Sequence, residues 1–176
     1  RAGEPFIIDT ALDKDAGDAG AVGTDYAGLA EDCRPGDVLL LNDGLIQLEV
    51  DAVEGTRVRC RVTVGGELSD NKGINRLGGG LNADTLTDKD RRDLHLAAEL
   101  DLDFLALSFP RHADDIHLAR ALYREAGGQG DMVAKIERAE AVAEPDTLDA
   151  LIEASDGVMV ARGDLAVEIG DAELVG

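Results

Sequence analysis

Three apolar runs recur in the second half of this chain, Asp103 to Phe109, Met132 to Glu137 and Gly157 to Arg162, each ending in a polar cluster. Ser108 and Lys135 are 27 residues apart, and Glu137 and Asp164 are again 27 apart, so each cluster follows the last by about one strand–helix unit. Runs so continuously apolar suit strands buried on both faces of a parallel sheet, and right-handed crossovers place such strands side by side. The stretches between them read as helices. One starts at Thr87-Asp88, with Thr87 as its cap and Leu94, Ala97 and Ala98 marking its faces. Another runs from Ala113 to Ala126 and is stopped by Gly127-Gly128, and a third spans Asp146 to Ala154. The expected fold class is α/β with a parallel sheet. The pattern alone is equally that of a closed barrel and of an open sheet.

The first half has a different rhythm. Pro5 to Asp9, Val38 to Leu41, Leu45 to Val53 and Arg57 to Val64 read as short strands, and Asn42-Asp43-Gly44 carries the turn chemistry of a hairpin. These residues predict a small β-rich domain over 1–77, followed by the α/β segment over 78–176. Gly73 to Ala83, with its run Gly78-Gly79-Gly80, reads as the joint between them.

Charge narrows the range of partners. With 37 acidic and 17 basic residues the formal net charge is −20, a surface that repels nucleic acid and anionic lipid. No apolar stretch is long enough to cross a membrane, and no secretory signal opens the chain. The expectation is a soluble cytoplasmic protein. The start at Arg1 and the end at Gly176 read as those of a fragment. Cys33 and Cys60 lack paired-ligand spacing and read as reduced, partly buried thiols, while His95, His112 and His117 form no metal-ligand pattern.

Active sites of parallel α/β folds sit at the carboxyl ends of the strands. There stand Ser108-Phe109-Pro110-Arg111, Lys135-Ile136-Glu137-Arg138 and Ala161-Arg162-Gly163-Asp164. Lys135 and Glu137, two apart on a strand, share a face. Neighbouring strands about 4.8 Å apart would let Glu137 and Asp164 each give an oxygen to one Mg²⁺, with other positions left to water and phosphate oxygens. Lys135 beside them would be a point charge suited to a phosphoryl group in transfer. The same residues are as compatible with a structural salt bridge and a turn that starts a helix. An Arg162-Gly163-Asp164 adhesion motif is disfavoured, because it terminates a buried strand.

Met159-Val160-Ala161-Arg162-Gly163-Asp164-Leu165, preceded by Ser155-Asp156-Gly157-Val158, resembles the signature of pyruvate kinases. Asn42-Asp43-Gly44-Leu45-Ile46, Lys72-Gly73-Ile74-Asn75, Leu86-Thr87-Asp88-Lys89-Asp90, Ser108-Phe109-Pro110-Arg111 and Ala134-Lys135-Ile136-Glu137 resemble further blocks of that family, in order. The variants Ser108-Phe109-Pro110-Arg111, Lys135-Ile136-Glu137-Arg138 and Asn75-Arg76-Leu77-Gly78-Gly79-Gly80 look more like a bacterial branch than the animal enzymes. The resemblance implies a (β/α)₈ TIM barrel with an inserted, small β-barrel-like lid domain, this chain supplying most of the lid and about strands four to six of the barrel.

The activity implied is transfer of the phosphoryl group of phosphoenolpyruvate to ADP, giving pyruvate and ATP in glycolysis. By matching positions, Glu137 and Asp164 would hold Mg²⁺, with Mn²⁺ as a substitute, and Lys135 would be the catalytic cation. Lys135, with the backbone N–H groups of Gly163 and Asp164, would bind substrate, and Lys72 would contact a nucleotide phosphate. Potassium is a further implied cation, its ligands outside this chain, and the parent protein is expected to be a homotetramer. Ala166 departs from the Gly that many relatives carry. The substrate arginine and a threonine linked to protonation also fall outside the chain, so the isolated segment is expected to be inactive. Two other readings stand beside this one: another Mg²⁺-dependent, enolate-forming barrel enzyme such as an aldolase or lyase, and a non-catalytic structural fragment.

Overall fold

A computed structural model describes residues 1–13 and 16–170; the stretch 171–176, to which the expected barrel segment extends, lies outside the described residues. The chain divides into two compact units, residues 1–83 with 167 onwards, and residues 84–166.

The first unit contains β1 (Pro5–Asp9), β2 (Ala21–Gly23), α1 (Leu29–Asp32), β3 (Val38–Leu41), β4 (Ile46–Glu54), β5 (Arg57–Val64) and β6 (Ile74–Arg76). Its strands form one sheet in the order β2-β1-β5-β4-β3-β6, antiparallel throughout except for the β1–β2 pair. Strict alternation builds its core. On β5 Val58, Cys60 and Val62 are buried while Arg57, Arg59 and Arg61 face water. On β4 Ile46, Leu48 and Val50 point inward to join Ile8, Leu29, Leu39 and Leu41. Its pairing with β5 shifts register at Gln47/Leu48 and Val50/Ala52, and the alternation ends at the second shift, where Ala52 and Val53 are only half-buried.

The Asn42-Asp43-Gly44 turn forms as expected, with φ of 52°, 56° and 81°, and it pairs Leu41 with Ile46. Leu45, read as the first residue of the next strand, instead closes this turn and is 67% exposed.

The joint Gly73 to Ala83 differs from expectation. Ile74–Arg76 is strand β6, pairing antiparallel with β3, because a three-residue edge strand needs only backbone groups and leaves no apolar signature. The glycines after it wrap the Arg76 side chain, whose Nε donates to the Gly79 carbonyl at 2.6 Å. A Cβ on Gly80 would lie 2.1 Å from the Arg76 guanidinium, and its φ is 87°. Arg76 also donates to the Asp32 carbonyl at 2.9 Å, so this segment is tied into the unit rather than being a plain spacer.

The second unit runs α2 (Asp88–Glu99), β7 (Phe104–Leu107), α3 (Ala113–Glu125), β8 (Asp131–Ile136), α4 (Ala139–Ala143), α5 (Pro145–Ala154) and β9 (Gly157–Val160), and α6 (Arg162–Ile169) begins within it. Thr87 caps α2 in a reciprocal box with Asp90, an arrangement whose loss costs about 1 kcal/mol. The sheet is parallel in the order β7-β8-β9. This bears out the expected strand–helix alternation.

The expectation that these strands are buried on both faces is corrected. On β8 Met132, Ala134 and Ile136 are buried, while β7 leaves Phe104 67% exposed and β9 leaves Met159 50% exposed. Among the described residues α3 packs against β8, α2 and α5. Gly130 lets the chain enter β8, since a Cβ there would sit 2.1 Å from the Leu102 carbonyl oxygen. No helix among the described residues is long and apolar enough to cross a membrane.

Candidate active site

Parallel pairing in register sets the ends of β7, β8 and β9 at one level, with Leu107 beside Ala134 and Lys135 beside Met159. Because side chains alternate, Lys135 and Glu137 emerge on the same face, as their spacing predicts. Glu137 stands just beyond β8 with its side chain fully buried, and its Oε2 accepts a hydrogen bond from the Phe109 N–H at 2.8 Å. Lys135 Nζ lies 2.5 Å from Glu137 Oε1 and donates to Ser108 Oγ at 2.9 Å. The contact with Oε1 is a charge contact without hydrogen-bond alignment, and Oε1 is left with no hydrogen-bond partner.

Burying a carboxylate is costly unless charge and hydrogen bonds compensate it. Here one ammonium and one N–H serve a group with about four lone-pair directions. Glu137 therefore presents a hard, anionic oxygen with unused acceptor capacity, the donor type that Mg²⁺ selects. Among the described residues no group of three or more His, Cys, Asp or Glu is arranged to hold a metal, so a cation here would draw on few protein ligands.

Asp164 lies in the first turn of α6 and is partly buried. Among the described residues its carboxylate makes no hydrogen bond or ion pair with the Lys135–Glu137 network. The segment read as a strand through Arg162 stops at Val160, and α6 starts at Arg162. That start places Gly163 and Asp164 where backbone N–H groups precede the first intrahelical acceptor, the first such bond in this turn being Leu165 N–H to the Ala161 carbonyl at 3.0 Å. A Cβ on Gly163 would meet nothing within 4 Å, so the space over this turn is open. Lys72 is exposed, in the turn before β6 in the other unit.

The whole of residues 1–176 matches the family model described as pyruvate kinase, barrel domain. The chain belongs to the pyruvate kinase family. It is 56% identical over 174 residues to the pyruvate kinase II of Salmonella typhimurium, covering 99% of this chain and 36% of that protein. It is 55% identical over 174 residues to the pyruvate kinase of Haemophilus influenzae, with the same shares covered. The pyruvate kinase of Mycobacterium tuberculosis is 45% identical over 148 residues, 84% of this chain and 31% of the relative. The chain thus spans about a third of the length of these relatives, all of which carry the name of an enzyme.

Two participants in this pyruvate kinase segment were not chosen from the sequence as site residues. Ser108 was visible as a polar residue at a strand end, and its hydroxyl is the hydrogen-bond acceptor of Lys135. The Phe109 N–H had no signal at all, because Phe109 reaches Glu137 through a backbone φ of 59° that a bulky residue rarely adopts.

Proposed function

We propose that this chain supplies part of the active site of a phosphotransferase that moves the phosphoryl group of phosphoenolpyruvate to ADP, forming pyruvate and ATP as in glycolysis. The observation that carries the reading is the Lys135–Glu137 ion pair, a fully buried carboxylate against the ammonium of a side chain that keeps part of its surface in solvent.

Glu137 and Asp164 would hold Mg²⁺, or Mn²⁺ in its place, and the bound ion would polarise the substrate's phosphoryl and enolate oxygens. Lys135 would oppose the negative charge that spreads over the phosphoryl oxygens during transfer, which is where a fixed cation lowers the barrier. The N–H groups of Gly163 and Asp164, at the positive end of α6, would take the substrate carboxylate, as helix starts take anions. Lys72, in the lid domain read over residues 1–77, would contact a nucleotide phosphate, and the metal and substrate groups would come from the partial barrel read over residues 78–176. The whole protein would form the (β/α)₈ barrel, take K⁺ through residues outside this chain, and assemble as a cytoplasmic homotetramer. The segment alone would be inactive.

The test uses the full-length protein. Phosphoenolpyruvate-dependent ATP formation is expected. Lys135→Met should lower turnover by about 10²–10³ while leaving Mg²⁺ affinity in place, and Glu137→Gln and Asp164→Asn should weaken Mg²⁺ binding. Turnover that needs Mg²⁺ but not ADP would instead favour an aldolase or lyase. Unchanged kinetics in all three variants would overturn the assignment of these residues.

A further inference from the structure

Ser108 and Phe109 follow β7 directly, and each grips a different side chain of the neighbouring strand end. Ser108 Oγ accepts from Lys135 Nζ at 2.9 Å, and the Phe109 N–H donates to Glu137 Oε2 at 2.8 Å. Phe109 does this from the left-handed region, with φ 59° and the residue 45% exposed, so burial does not account for the conformation. Strained residues of this kind persist where surrounding structure holds them, and they gather at functional sites.

Lys135 has two partners of different character. Glu137 Oε1 attracts it at 2.5 Å without hydrogen-bond alignment, whereas Ser108 Oγ accepts a formed hydrogen bond. Charge therefore draws the ammonium toward Glu137, and the hydroxyl gives it direction. A carboxylate engaged by a cation attracts an ammonium less, but a neutral hydroxyl still accepts from it.

We propose that Ser108 is a positioning residue that aims the Lys135 ammonium by accepting the one aligned hydrogen bond it makes. The proposal rests on the reading of Lys135 as the charge-stabilising group in phosphoryl transfer. Ser108 touches no reacting atom in this role; it acts through Lys135.

The experiment compares Ser108→Ala and Ser108→Thr in the full-length protein, reading kcat, KM for phosphoenolpyruvate, Mg²⁺ half-saturation and the crystal structure of each variant. Ser108→Ala should lower kcat by about tenfold to a hundredfold, the effect of losing one hydrogen bond to a charged group. KM and Mg²⁺ half-saturation should stay within about twofold, as expected when only transition-state stabilisation is lost. Its crystal structure should show Lys135 Nζ displaced from the position it holds beside Ser108 Oγ. Ser108→Thr keeps the hydroxyl and should recover most of kcat, with Nζ in place. The proposal is overturned if Ser108→Ala turns over like wild type, if Nζ stays in place without the hydroxyl, or if threonine holds Nζ yet fails to restore kcat. Absence of any transfer to ADP by the wild-type protein would sink the functional reading alone, because the two crystal structures still decide whether Ser108 aims Lys135.

Discussion

Lys135→Met and Glu137→Gln remove opposite ends of one ion pair, and the structure makes their costs unequal. The Lys135 side chain keeps 26% of its surface in contact with solvent, whereas that of Glu137 keeps 0%. Removing the cation strands a buried carboxylate with only the Phe109 N–H at 2.8 Å to compensate it. Removing one partner of a buried pair costs about 3–5 kcal/mol, and we take about 3 kcal/mol for Lys135→Met because the site lies at a strand end. Glu137→Gln keeps the shape and an oxygen for Phe109, and the freed ammonium retains Ser108 and turns to water, so about 1 kcal/mol is expected. The assay is urea unfolding followed by circular dichroism, with chelator and then with excess Mg²⁺. A cation that binds only the folded state adds about 2.7 kcal/mol at a hundred times its dissociation constant. That gain should be larger in Lys135→Met, which leaves the anionic oxygen uncontested, than in Glu137→Gln, which has lost it. A Glu137→Gln penalty equal to or above that of Lys135→Met, or equal rescue of both by Mg²⁺, would refute this reasoning.

Two further outcomes follow from groups outside the site. The Met132 N–H and then the Arg120 guanidinium hold the Asp156 carboxyl below its ordinary value. A depressed folded-state value means stability that is present above the unfolded value of about 3.9 and is lost as pH falls through the folded value. Asp156→Asn should therefore be less stable than wild type at neutral pH, modestly because Asp156 is 38% exposed, and should converge with it in acid; a constant difference down to pH 2 would count against this. Burial pushes the thiol of Cys33 up to about 11 and that of Cys60 up to about 12. At pH 8 both should resist a disulfide reagent until urea unfolds the chain, and fast labelling of the folded protein would show that the first unit opens readily.

Much of the candidate site was legible because strand periodicity and unit length are sequence properties. The two-residue spacing of Lys135 and Glu137 fixed their common face, and the 27-residue interval brought Ser108 to Lys135 across adjacent strands. The hairpin at Asn42-Asp43-Gly44 was equally readable, since its backbone demands left-handed residues there. Strand β6 was not, because three residues of edge strand carry backbone information only. The strand continuation through Arg162 also went astray: Ala161 is apolar enough to extend the run, but the chain turns into α6 at the next residue.

By itself the sequence determined the alternation of strands and helices, the family, and the identity of the charged groups at the strand ends. Each follows from local pattern, and local pattern is written in residue order. The tertiary structure decided which oxygen of Glu137 takes the Phe109 N–H and which faces the Lys135 ammonium, that Ser108 rather than a second carboxylate receives the Lys135 hydrogen bond, and that Phe109 adopts φ 59° to deliver its N–H. Those outcomes depend on a balance of desolvation, charge and strain among groups 27 and 28 residues apart, and only folding brings such groups within hydrogen-bond reach.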